Sequence, residues 1–166
     1  QKEFALPDQL IFSDVDRLYS VARPECLIIA TTAESHCALT CMGTKRGVKH
    51  ILVEKPMAVS LGECDRMIET CNRFDTKLAV NHQMRFMDQY TEAKRLVRSE
   101  AFGGLSSITV AAGNFGMAMN GTHYFEMFRY MTDEPSGEAT AWFSDGSVPN
   151  PRGAEFEDRA GAVRLT

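Results

Sequence analysis

Three short apolar runs, each divided from the next by a helical pattern, constrain this 166-residue chain more than any other feature. "CLIIAT", 26 to 31, is a continuous β-branched run of the kind expected for a strand buried on both faces. "HILV", 50 to 53, and "KLAVN", 77 to 81, are the second and third runs. Between the first two, Ser35 offers a helix cap, Ala38, Leu39 and Met42 follow at helical spacing, and Gly47 offers a stop. Between the second and third, Ser60 and Glu63 form a capping box, and Leu61, Cys64, Met67, Ile68 and Cys71 share one helical face. Strand, helix, strand, helix, strand predicts parallel strands joined by right-handed crossovers, with helices packed on the sheet.

The pattern changes after about residue 84. A helix is expected from near Gln89, with Tyr90, Ala93, Leu96 and Val97 on one face, stopping at Gly103-Gly104. "SSITVAA" alternates like a strand, and a glycine- and methionine-rich stretch, "GNFGMAMNGTH", comes next. "YFEMFRYM" reads as a helix ending before Pro135, and "ATAWFS" and "AVRLT" as antiparallel strands. Near the start, "LIF" is strand-like and leads into a short helical stretch.

Bulk properties exclude several classes. The net charge is -4 with no basic run, which argues against nucleic acid and against an anionic membrane surface. No apolar stretch approaches the ~18 residues of a membrane-spanning helix. The opening "QKEFALPDQL" has no signal-peptide core. Five cysteines, an odd number without a CxxC, read as buried structural thiols in a reducing compartment. No Cys/His set has zinc-ligand spacing, so no metal is expected.

In a doubly wound sheet, ligands bind beyond the carboxyl ends of the strands. Thr31-Thr32, Glu54-Lys55-Pro56 and Asn81-His82 fall at three successive ends and so are expected on one rim. A lysine just past a buried strand is partly desolvated, which suits acid/base use or hydrogen bonding to a substrate oxygen; a surface lysine has the same local sequence. Pro56 makes the turn rigid. His123 opens a helix after a glycine, where an imidazole serves equally as general base or as helix cap. Asn120 reads as a turn residue before Gly121 or as a substrate ligand. Arg85 suits an acid, a substrate oxygen or an interdomain ion pair. Glu126 and Arg129 form a helix-surface pair, and Met117, Met119, Met127 and Met131 serve packing.

These motifs resemble one family. "GVKHILVEKPMA" is similar to the GKHVLVEKP segment of the Gfo/Idh/MocA oxidoreductases, the glucose–fructose oxidoreductase and inositol dehydrogenase relatives. "DVDRLYSVARPECLIIATTAESH" resembles the segment before it, "VNHQMRF" the strand and arginine after it, and "NGTHYFEMFRYM" the helix with the family's catalytic histidine. The resemblance covers nearly the whole chain. Where the family usually carries an acid four residues before that histidine, this chain has Met119, and Asn120 is the nearest polar group.

The resemblance implies an α/β fold: the C-terminal half of a Rossmann-type parallel sheet over 1–84, then the start of an α+β domain with antiparallel sheet over 85–166. It implies NAD or NADP as cofactor and hydride transfer to or from a hydroxyl/carbonyl group of a sugar, polyol or related small molecule. Lys55 and His123 take the catalytic positions. Thr31, Thr32, His36, Glu54, Lys55 and Pro56 match cofactor-lining positions, and Asn120, Arg85 and His82 fall on the substrate side. A cytoplasmic homo-oligomer formed through the C-terminal sheet is expected, as is an internal piece truncated at both ends. No GxGxxG occurs, and Gly113 to Gly116 is a lone GxxG without strand and helix around it, so weak dinucleotide binding by this chain alone is expected. A non-catalytic sugar- or dinucleotide-binding regulator and an NAD-dependent glycosidase are the alternatives on the same fold.

Overall fold

A computed structural model of the chain describes residues 7–113, 116–135, 137–148, 153 and 157–166. They fall into two compact units, 1–81 and 82–166. The opening residues 1–6 and the two central residues of the 113–116 GxxG lie outside the described residues.

The first unit begins with a 3₁₀ turn at Asp8–Leu10, so the strand expected at "LIF" does not form. Helix α1 spans Val15–Ala22, and the Asp14 carboxylate accepts from Arg17 N at 2.7 Å as its N-cap. Strands β1 (Cys26–Ile29), β2 (His50–Glu54) and β3 (Lys77–Asn81) then alternate with helices α2 (Ala33–Lys45) and α3 (Leu61–Arg73). The sheet order is β1-β2-β3, all parallel. The period of two in each strand sends Ile29, Ile51 and Val53 to one face, where α2 and α3 cover them with Cys37 and Met67. Burying each such side chain contributes about 1.5–3 kcal/mol. Gly43 lets α2 lie close to that face: a Cβ there would sit 2.9 Å from Leu27 Cδ2 and 3.0 Å from the Tyr19 hydroxyl.

Several local expectations are corrected. Thr32 rather than Ser35 stands at the N-cap of α2, because its backbone is extended; the Ser35 hydroxyl instead donates to Thr32 O at 2.9 Å. Gly47 does lie just past the end of α2, in the left-handed region at φ 90°. Ser60 caps α3 as expected, accepting from Glu63 N at 3.3 Å, while Glu63 reaches back to Val59 N. Met67 and Cys71 are buried on α3, but Leu61 and Ile68 are exposed. The double-sided burial expected for β1 fails, since Ile28 is 72% exposed. It heads a row, Ile28–Leu52–Ala79, on the face away from α2 and α3. Cys26 is likewise exposed, while Cys37 and Cys71 are buried and Cys41 and Cys64 partly so.

The second unit opens with a 3₁₀ turn at Gln83–Phe86 and helix α4, Asp88–Val97. Residues 106–112, expected to be a strand, join no ladder among the described residues. A wide π-type turn, Met117–Gly121, runs directly into α5, Thr122–Thr132. Residues 117–123 of the glycine- and methionine-rich stretch are therefore wound as helix, and Asn120 is not in a reverse turn. Strands β4 (Ala139–Val148) and β5 (Asp158–Leu165) pair antiparallel, with a register irregularity between Phe143 and Ser147. Lys94 ties α4 to α5: its ammonium donates to Tyr130 O, lies 4.2 Å from the centre of the Tyr130 ring and pairs with Asp133, which Arg98 also reaches. Burial, and after it the positive Arg98, holds that ammonium below the usual lysine range. No helix among the described residues is long and apolar enough to cross a membrane.

Candidate functional site

Because β1, β2 and β3 are parallel and adjacent, their carboxyl ends share one rim. The first unit brings Thr31, Thr32, Glu54, Lys55, Pro56 and Asn81 to it. At the β1 end, the Thr31 and Ser35 hydroxyls lie 2.6 Å apart, and Thr31 and Thr32 are exposed. At the β2 end, Lys55 and Pro56 are joined by a cis peptide and both are partly buried. The Glu54 carboxylate is held twice: Oε1 accepts from Asn81 Nδ2 at 2.6 Å, and Oε2 from Lys55 N at 3.3 Å. Glu54 thus links the ends of β2 and β3 and fixes the backbone at Lys55.

His36 stands behind this rim. It is wholly buried, with Nδ1 2.9 Å from Pro56 O and Nε2 3.1 Å from Thr31 O. Both neighbours are acceptors, so a neutral imidazole, with a single N–H, donates to one of them at a time. The ring spans the turns beyond β1 and β2. Spacing along the chain gives no signal for such a bridge, because His36 and Pro56 are 20 residues apart.

In the second unit, the rings of His82 and His123 meet edge to face, with centroids 6.3 Å apart and planes at 88°. His123 is buried on the first turn of α5. Arg85 points elsewhere: it pairs with Glu126 at 3.4 Å and stacks over Tyr130 at 5.5 Å. Glu126 also accepts from Arg129 at 3.3 Å and is only 13% exposed, so the expected helix-surface pair is part of a three-residue network whose arginines stay exposed while its carboxylate is covered. Asn120 N donates to Gly116 O at 3.3 Å within the wide turn. A cavity of about 980 Å³ opens between residues 105–113 and β5, but His82, Asn120 and His123 do not line it. Met127 and Met131 pack in the interior, as expected. Sequence reasoning missed Asp158, a buried carboxylate on β5 that accepts from Ala118 N and Met119 N. Its only local mark was an acid opening a strand.

Parallel strands, crossover helices and a polar rim at the strand ends define an α/β protein of the nucleotide-binding type. Residues 1–82 match the oxidoreductase family with NAD-binding Rossmann fold, GFO_IDH_MocA. Over these residues the chain belongs to the Gfo/Idh/MocA family. It is 32% identical over 91 residues to a 2,7-anhydro-N-acetylneuraminate hydratase of Mediterraneibacter gnavus, a match covering 55% of this chain and 24% of that protein. It is 26% identical over 152 residues to a myo-inositol 2-dehydrogenase of Thermotoga maritima, covering 82% of this chain and 44% of that one. Among solved structures, an aldose–aldose oxidoreductase from Caulobacter crescentus, complexed with glycerol, superposes with a TM-score of 0.72 at 24% identity, over 99% of this chain and 54% of that one. The chain thus spans less than half the length of these two curated relatives.

Proposed function

We propose that the protein is an NAD(P)-dependent oxidoreductase acting on a hydroxyl/carbonyl group of a sugar, polyol or related compound. The observation that carries this reading is the rim itself: Lys55 stands at the end of a central parallel strand, with its backbone fixed by Glu54 and the turn beyond it by His36. The exposed hydroxyls of Thr31 and Thr32, with Glu54 and Pro56 beside them, suit a dinucleotide laid across the strand ends. When bound, NAD(P) supplies the hydride acceptor or donor. Lys55 would donate a hydrogen bond to the substrate oxygen, which favours charge building there. His123 would take the hydroxyl proton in oxidation and return it in reduction. His82, Arg85 and Asn120 would lie on the substrate side, Arg85 acting through its hold on Glu126.

On this reading residues 1–84 are part of the cofactor domain, and 85–166 part of a domain for substrate and self-association. The β4–β5 ribbon, exposed along β4, supports assembly of a homo-oligomer through that sheet. Cytoplasmic placement goes with the free thiols among the described residues. The test is NAD and NADP reduction by the intact protein, monitored at 340 nm, with a panel of myo-inositol, aldoses and their phosphates. Absence of reduction with every member overturns the reading. One observation favours a second: a relative named as a hydratase, whose reaction has no net redox change. That reading expects loss or gain of water from an added anhydro-sugar with no net NADH.

A further inference from the structure

We propose that Asp158 is a positioning residue for His123, acting through the start of the helix that carries it. This rests on the proton-transfer role proposed for His123, and the experiment below separates the two. Asp158 is the first residue of β5 and only 5% exposed. A carboxylate in such a place needs donors, and it has two: Oδ1 accepts from Ala118 N and Oδ2 from Met119 N, both at 2.8 Å. These N–H groups belong to the first turn of the helical stretch that runs from Met117 to Thr132. First-turn N–H groups have no carbonyl partner one turn back, and here one carboxylate accepts from two of them. A negative charge is also favourable at that end of the helix.

A second, independent feature fits the carboxylate to this spot. Gly116, just before the turn, has φ 74°, and a Cβ on it would collide with the Asp158 carboxylate. A side chain at 116 would therefore displace the carboxylate from the two amides that it holds. The turn between that anchor and α5 is wide, with Gly121 packed against Met117 and Phe125. Wide turns of this kind compete with ordinary α winding and are frequent at functional sites. Rewinding by one residue rotates the Asp158 anchor relative to α5 by about 100°. His123 lies at the junction, on the first turn of α5 and edge-on to His82. Holding the turn at Ala118 and Met119 holds it in register with that ring.

The experiment uses the full chain and NMR. In the wild-type protein, the amides of Ala118 and Met119 should exchange with deuterium as slowly as those inside α5; exchange at the rate of an unprotected amide overturns the proposal. In Asp158→Asn, one acceptor becomes a donor aimed at an N–H. Exchange at 118 and 119 should quicken about tenfold or more, and the His123 Cε1–H resonance should move while the spectrum of β1–β3 stays fixed. A His123 resonance at its wild-type position in the folded variant overturns the proposal. Asp158→Asn should also lower kcat by about 10- to 100-fold with KM within about twofold, the signature of a misaligned group. The opposite split, KM raised and kcat kept, counts against it. Should no polyol reduce NAD in the wild-type protein, the proposed reaction fails while the exchange and resonance measurements still decide the role of Asp158. Should Asp158→Asn not fold, wild-type exchange decides.

Discussion

Glu54 and Asn81 are paired twice. Their backbones are register partners at the ends of β2 and β3, and their side chains join again through a 2.6 Å hydrogen bond from Asn81 Nδ2 to Glu54 Oε1. The last rung of the ladder is thus extended into the rim. Asn81→Ala should destabilise the protein by about 1–2 kcal/mol, the scale of a hydrogen bond to a charged, partly buried group. Asn81→Asp should do more at pH 7, since two carboxylates then face each other, and should recover at about pH 4 as one takes a proton. Urea titrations at the two pH values check this; equal losses at both would contradict the pairing.

Lys55 tests the chemistry rather than the scaffold. Lys55→Met keeps length and loses the charge. Turnover in the NAD-coupled assay should fall about 100-fold or more, the scale of a lost acid/base group, with the melting temperature nearly unchanged. Turnover at the wild-type level would remove Lys55 from the site.

His36 should behave the other way. His36→Ala removes the one N–H shared by the Thr31 and Pro56 carbonyls and leaves a hole in the interior. A loss of about 3 kcal/mol is expected, from the cavity together with the lost hydrogen bond. Denaturant unfolding measures it. A loss below about 0.5 kcal/mol, the size of an ordinary surface change, would show that the bridge between the two turns does not hold the fold together.

The thiols give a prediction in pH. Burial pushes the Cys71 thiol up, against a lowering hydrogen bond from Thr44, and pushes Cys37 up with Cys41 adding to it. A thiol raised in the folded state binds its proton more tightly there than in the unfolded chain. Its contribution to stability is therefore full below the unfolded value of about 8.5 and declines as pH rises beyond it. Stability should fall above about pH 8.5, and a Cys37→Ala/Cys71→Ala variant should fall less steeply. In native protein at pH 7.5, a thiol reagent should modify exposed Cys26 first, and Cys37 and Cys71 only with denaturant.

The order and direction of β1, β2 and β3 were legible because hydrophobic period and caps act locally. Ser60, Gly47 and the "HILV" run each declare an element within a few residues. With parallel strands in chain order, the common rim of Thr31, Glu54, Lys55 and Asn81 comes from topology alone. The illegible part depends on contacts between distant residues. Thr32 and Ser35 offer the same hydroxyl chemistry, and only the backbone angle at Thr32 decides between them. The bridge by His36 and the anchor by Asp158 join segments 20 and 40 residues apart. The exposure of Ile28 could not be read from an apolar run, which records that a residue is greasy and not which face is covered. The alternation at 106–112 is real, but a strand needs a partner, and local pattern supplies none.

The parallel register has a kinetic consequence. Cys26 pairs with His50, and His50 with Lys77, so each ladder joins residues separated by a whole helix. Neither ladder can zip from a tight turn as an antiparallel hairpin does. The connecting segment must shorten into α2 or α3 before the strands can meet, and until then the chain bears the entropy of a long open loop. Assembly of this unit should begin in its helices, with α3 and its Ser60 cap a natural first piece, and the three strands should gain protection together afterwards.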